Sequence, residues 1–371
     1  MGWHTMTLDN EMKLVLLGSR LTRTELIAIE MERLLHEKLD WDKVIRYSFK
    51  NKVQYLLLHN IVNLGWGAFI PQCYFTLIDD NCSCNYIRNE RKLSELQKIR
   101  TELKRRNILA TPVKGGYLID NVYKSRKIRA TNDIDLLFRR NDIKALDELM
   151  KDFRYEQGDY NKTANNINLP SRKKKMLYKT SMYNLLPYIS LNYDIPSKTV
   201  VFDFSFALDF SLDTKPVEEM LNMAAQTDNG LDLLPEHFLV HMCCHHYREA
   251  SNVAWILIGK DLNLIKFCDV REFILQKMTA ASMMKAILFA QKHNLEKAVY
   301  FTLYFVREIY DDGYETDILD LLNIEDETFL YQFGEKDYDE RQIRKKDFWT
   351  SLFSDNNRDE ICSPPKYESI I

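Results

Sequence analysis

The sequence predicts an α+β protein in which a mixed-sheet core is set between helical segments. Three observations predict it. Apolar residues recur at three- and four-residue spacing before residue 104 and again from 235 onward. Between them the pattern shortens to strand-like runs at 108–113, 133–138 and 199–208. The 46% hydrophobic and 12% aromatic content is enough for a sizeable core. At roughly 150 residues per domain, the 371-residue chain holds two or three units. The pattern divides it into a helical region 1–103, an α/β core 104–212, a helical domain 213–325 and a charged region with tail 326–371.

The elements follow in order. Thr24-Glu25 leads into Ile29, Met31, Leu34 and Leu35, an amphipathic helix. Asp40 opens a second helix carrying Val44, Ile45 and Tyr47, and 53–62 forms a third that ends near Gly65. A charged helix over 85–107 aligns Leu93, Leu96, Ile99 and Leu103, with its Arg/Lys/Glu-rich opposite face expected to be solvated. The apolar run 108–113 is a buried strand leading into Lys114-Gly115-Gly116, a helical stretch 117–123 and the basic segment 124–129. Asp133-Ile134-Asp135-Leu136-Leu137-Phe138 is a second strand, and Asn141-Asp142 caps a helix over 143–153. Residues 156–175 read as a polar loop, and its Arg172-Lys173-Lys174-Lys175 run as solvated or as a contact for an acidic substrate or RNA. Strands are expected at 181–189 and 199–208, then helices at 236–250, 254–267, 270–276, 280–293 and 296–309. Residues 318–345 read as a charged exposed helical region, and Ser363-Pro364-Pro365-Lys366 as a frayed tail.

Composition excludes several classes. With 51 Lys+Arg against 54 Asp+Glu, the net charge of −3 argues against general DNA or polyanion binding. No apolar run reaches the ~18 residues of a membrane span, and Lys13–Leu17 is too short for a signal segment. Met6 stands where myristoylation after Met1-Gly2 needs Ser or Thr. The seven cysteines (Cys73, Cys82, Cys84, Cys243, Cys244, Cys268, Cys362) are odd in number and lack C-x₂-C spacing. Reduced thiols in a cytoplasmic protein are the expectation.

One constellation carries chemistry. Asp133 and Asp135, two apart on a strand, project to one side of the sheet. Carboxylates that close repel unless a cation joins them, and oxygen-only ligands suit Mg²⁺. Gly115-Gly116, between a strand and a helix, let backbone N–H groups approach a phosphate, with Lys114 and Arg129 adding positive charge. Asp203 is a lone acid in the run Thr199-Val200-Val201-Phe202-Asp203-Phe204. It needs a partner: a metal shared with Asp133 and Asp135, or an arginine.

The order Gly-Gly, D-x-D and a later strand-borne Asp resembles the polymerase-β-like nucleotidyltransferase superfamily. Val113-Lys114-Gly115-Gly116, Tyr123, Arg129 and Asp133-Ile134-Asp135-Leu136-Leu137 are similar to the uncharacterised nucleotidyltransferase family of bacterial gene clusters. Weaker likeness extends over roughly 25–290, through Asp40-Trp41-Asp42, Lys52–Leu57, Pro235-Glu236 and Trp255 before Lys260-Asp261-Leu262. One departure stands out: Phe204-Ser205-Phe206 follows Asp203 where the family carries a Leu-His-Trp-like stretch.

The resemblance implies a polymerase-β-like core and an Mg²⁺-dependent enzyme, with two ions, or Mn²⁺ in their place, on Asp133, Asp135 and Asp203. An acceptor hydroxyl would attack the α-phosphorus of an NTP such as ATP and pyrophosphate would leave, with Asp203 receiving the proton. Lys114, Gly115, Gly116 and Arg129 would bind the nucleotide. Transfer at the β- or γ-phosphate would use the same parts. The implied acceptor is a small molecule, peptide or protein; tRNA is the alternative, as is a non-catalytic NTP-binding scaffold. No membrane partner is expected. His241 and His245, at i,i+4, have zinc-capable spacing, but Met242 stands where H-E-x-x-H has Glu. A helix packed on the catalytic core is the simpler reading.

Overall fold

A computed structural model describes residues 8–161, 163–191, 199–334, 341–355 and 359. The expectations on Met1-Gly2 and Met6, on Cys362 and on the tail at 363–366 lie outside the described residues. The chain is α+β, and by compactness it forms two units, residues 82–241 and the remainder.

The second of these units begins with four helices: α1 (Asn10–Gly18), α2 (Glu25–Leu35), α3 (Trp41–Lys50) and α4 (Gln54–Asn63). Asp9, Thr24 and Asp40 cap the first three, each accepting a backbone N–H with its side chain. Leu14, Val15 and Leu16 of the apolar stretch at 13–17 are buried in α1. The chain then enters α5 (Gln72–Arg105), 34 residues long and begun well before the expected start at 85.

Residues 82–241 carry a five-stranded mixed sheet. Its strands are β1 (Ala110–Pro112), β2 (Ile134–Phe138), β3 (Glu156–Gln157), β6 (Tyr188–Leu191) and β7 (Thr199–Ser205). The order is β1-β2-β7-β6-β3, with β2 and β7 parallel and the other pairs antiparallel. Leu93, Leu96, Ile99 and Leu103 of α5 pack with Phe138, Phe202, Phe204 and Phe206 in the core of this unit. A short helix α6 (Gly115–Leu118) continues as a π-turn over Ile119–Tyr123, and α7 (Ile143–Asp152) buries Leu146, Leu149 and Met150.

Several expectations are corrected here. The polar stretch 156–175 is not one loop: it holds β3, a hairpin of β4 (Asp159–Asn161) and β5 (Asn166–Asn168), and the start of α8 (Arg172–Ser181). The basic run is therefore the first turn of a helix, capped by Ser171. The strand expected at 181–189 is interrupted: Asn184 bridges to Ser205 and a strand resumes at Tyr188–Leu191, with Pro187, which has no N–H to offer a ladder, between them.

After α9 (Lys215–Asn222) and a hairpin of β8 (Ala225–Thr227) and β9 (Gly230–Asp232) comes α10 (Pro235–Ser251). Phe238 of α10 packs on Tyr117 of α6, ring centroids 4.6 Å apart. The helices expected at 254–267 and 270–276 divide elsewhere, into α11 (Val253–Leu257) and α12 (Leu264–Lys277). Gly259, at φ +63°, supplies the break. Helices α13 (Ala280–Lys292), α14 (Glu296–Tyr310) and α15 (Glu315–Leu322) follow. The region 318–345 is not one exposed helix; past α15 it has a 3₁₀ turn at Thr328–Tyr331 and a small β-ladder that buries Phe333. No helix among the described residues is long and apolar enough to cross a membrane.

Candidate active site

The parallel pairing of β2 with β7 sets Ile134 opposite Phe202 and Asp135 opposite Asp203. Side chains on β7 alternate: Val200, Phe202 and Phe204 are buried, while Asp203 lies on the other, more open face. Asp133 stands one residue before β2 and Asp135 is the second residue within it. One carboxylate oxygen from each of Asp133, Asp135 and Asp203 lies within 4.8 Å of the others. Among the described residues no other group of three His, Cys, Asp or Glu side chains converges in this way.

Three carboxylates at this spacing cannot all stay ionised without positive charge between them. Burial pushes the Asp203 carboxyl well above the usual carboxylate range, and the charges of Asp133 and Asp135 push it further, against the opposing pull of Lys114. Asp203 Oδ1 is out of contact with solvent and has no hydrogen-bond partner among the described residues. No arginine pairs with it among those residues. An all-oxygen donor set with an unsatisfied buried oxygen fits a hard divalent cation.

Lys114 donates to Asp135 Oδ1 at 2.6 Å. Its backbone sits at φ +48°, ψ −129°, a region that side-chain-bearing residues rarely adopt, so the turn holds it there at a conformational cost. Gly115 follows because nothing larger fits: a Cβ there would lie 2.5 Å from Thr131 Oγ1 and 2.6 Å from Arg129 Nη1. At Gly116 the nearest atom to such a Cβ is Leu96 Cδ2 at 3.4 Å, an ordinary contact. Arg129 is buried, donates to the Ala130 carbonyl at 3.2 Å and lies 6.0 Å from the Tyr123 ring centroid. The residues singled out in the sequence thus meet at one end of β2, with Arg129 behind Gly115.

One neighbour was missed. Lys92 of α5, expected on a solvated face, is only 4% exposed, donates to the Thr131 carbonyl and feels the charge of Asp133. In a charged helix a single lysine looks like any other; its only signal is its spacing from Asn85 and Asn89.

The histidine helix does not assemble a metal site among the described residues. His245 accepts from Arg248 through Nδ1 at 3.2 Å, and its Nε2 lies 3.3 Å from Glu249 Oε1, so both ring nitrogens are engaged along α10. The six described cysteines are free thiols.

No curated protein matches the chain. A family model does, that of the Uncharacterised nucleotidyltransferase, over residues 37–311. That span takes in β2, β7 and all three convergent acids and covers well over half of the 371 residues: the chain belongs to the Uncharacterised nucleotidyltransferase family and is a transferase enzyme.

Proposed function

We propose that the protein transfers a nucleoside monophosphate from an NTP to a hydroxyl on a small molecule, peptide or protein, releasing pyrophosphate, with Mg²⁺ held by Asp133, Asp135 and Asp203. The observation that carries this reading is the register of Asp135 opposite Asp203, which brings the three carboxylates within 4.8 Å. Bound there, two Mg²⁺ ions would offset the triphosphate charge and lower the pKa of the acceptor hydroxyl.

The chain's own groups supply the rest. A bond forms between the acceptor oxygen and the α-phosphorus, the bond to pyrophosphate breaks, and the hydroxyl proton goes to Asp203. Its raised proton affinity suits a general base. Lys114, beside Asp135, would offer its ammonium group to phosphate oxygens. Arg129, buried behind Gly115, fixes the turn from which the Gly115 and Gly116 amides approach the nucleotide.

The test is incubation with each labelled NTP, Mg²⁺ and cell extract, followed by separate inspection of protein, RNA and small-molecule fractions. Mg²⁺-dependent label in one fraction, lost in an Asp133→Ala/Asp135→Ala variant, is the expected result. No such label, or equal labelling by the variant, contradicts the proposal. A second reading, an RNA acceptor, draws on α8: of the four cations in its first turn only Lys174 has an acidic partner, Asp159, among the described residues. Tyr178 of the same helix feels the charge of Asp203. Label in the RNA fraction selects that reading.

A further inference from the structure

The segment between the π-turn and β2, residues 124–133, has no strand ladder to satisfy its carbonyls. One face of α5 does this instead. Asn85, Asn89 and Lys92 stand at i, i+4 and i+7, and are 3%, 0% and 4% exposed. Asn85 Nδ2 donates to the Lys127 carbonyl at 2.9 Å and the Arg129 carbonyl at 3.3 Å. Asn89 Nδ2 donates to the Arg126 and Arg129 carbonyls at 2.9 and 2.8 Å. Lys92 Nζ donates to the carbonyl of Thr131, whose hydroxyl in turn donates to the Asp133 carbonyl at 2.8 Å. The ladder therefore ends one hydrogen bond from the residue that carries the first acid.

The third rung differs from the others in kind. An asparagine would satisfy a carbonyl without the cost of burying an ammonium group, which is large unless an opposite charge lies in reach. Among the described residues Lys92 makes no ion pair; the opposite charge it feels is that of Asp133. Lys114 pairs with Asp135 in the carboxylate cluster, while Lys92 holds the Thr131 carbonyl and feels the charge of Asp133. Thr131 also abuts Gly115, so movement of this turn reaches the nucleotide side of the site.

We propose that Lys92 is a positioning residue: it holds the Thr131–Asp133 turn so that Asp133 faces Asp135 and Asp203, and its charge counters their repulsion. This rests on the reading of the three acids as a metal site, and two readouts keep the failures apart. The first is hydrogen–deuterium exchange over 126–135 in full-length protein with chelator, comparing wild type, Lys92→Met, Lys92→Arg and Asn89→Ala. The second is binding of Mn²⁺ alone to the same proteins and to Asp135→Asn.

Lys92→Met is expected to speed exchange over 129–135 and to weaken Mn²⁺ binding about tenfold or more, as loss of a group that orients a metal ligand does. Lys92→Arg, which keeps charge and donor, should stay near wild type in both. Asn89→Ala should speed exchange at 126–129 with a smaller loss of Mn²⁺ affinity than Lys92→Met. Unchanged exchange in Lys92→Met overturns the proposal. So does faster exchange with undiminished Mn²⁺ binding, or an Mn²⁺ loss in Lys92→Met no larger than in Asn89→Ala. If Asp135→Asn binds Mn²⁺ as wild type does, the metal-site reading fails instead, and the exchange comparison still decides whether Lys92 holds the turn.

Discussion

Two charge clusters, one in each unit, are built on opposite plans. In the helical unit Arg271 forks onto Asp312, at 2.5 and 2.8 Å, and reaches Glu272 at 2.5 Å. Glu272 accepts from the Leu21 and Thr22 backbones and the Thr22 hydroxyl, while Arg20 and Arg271 both lie over the Tyr310 ring. Two cations face two anions, and hydrogen bonds fill the remaining valences. In the sheet unit three carboxylates converge, Lys114 pairs with Asp135, and among the described residues a buried Asp203 oxygen goes without a hydrogen-bond partner. The first arrangement spends its charges on structure. The second keeps a surplus of negative charge, which a fold does not need and a cation-dependent reaction does.

Substitutions should separate the two plans. The largest effect is expected for Asp203→Asn, which removes a repelled charge: transfer should fall on the order of 10³-fold, ~4 kcal/mol of transition-state stabilisation. Its melting temperature in chelator should hold or rise, because like charges are relieved. Arg271→Met should do the reverse, costing about 3 kcal/mol in a urea titration by stranding Glu272 and Asp312. Its rate per folded molecule should be unchanged. Loss of stability in the first, or a selective loss of rate in the second, would erase the distinction.

The lysine next to the site gives a pH signature. Burial pushes Lys92 down to about 8, with Asp133 opposing. The unfolded chain then holds this proton up to its ordinary value of about 10.4, so it binds more protons than the folded chain between those limits. Stability owed to this residue therefore rises with pH across that window. Wild type should gain about 2 kcal/mol over Lys92→Met between pH 7.5 and 10, read from paired denaturation curves. For Arg271, burial is outweighed by Asp312 and Glu272, which raise its proton affinity, so its variant should show no such slope.

The smallest contrast concerns the glycines. Gly115→Ala forces Thr131 and Arg129 aside and should cost about 1–2 kcal/mol with a loss of activity. Gly116→Ala, in ordinary contact with Leu96, should stay within ~0.5 kcal/mol.

What the sequence disclosed and what it concealed follow the same divide. The D-x-D pair was legible because strand period alone puts Asp133 and Asp135 on one side, and β7 was legible from its apolar run. That Asp203 would stand opposite Asp135 depends on strand register, which is set by long-range pairing. The α5 ladder was hidden because Asn85, Asn89 and Lys92 look like surface residues until the carbonyls they hold are in place. The helical first turn at Arg172–Lys175 was obscured because four cations there oppose the helix dipole. Gly259 was overlooked as well: the helix expected over 254–267 runs through it, although an isolated Gly is a common break signal.

The central claim is that Asp133, Asp135 and Asp203 form one cation site serving nucleotidyl transfer. Its most direct test is Mn²⁺ titration of the full-length protein, followed by melting temperature as well as binding, with Asp203→Asn as the comparison. Saturable binding that stabilises wild type by RT ln(1 + [L]/Kd), and is lost in Asp203→Asn, is the expected result. Equal binding by the two proteins, or none by wild type at millimolar Mn²⁺, would contradict it.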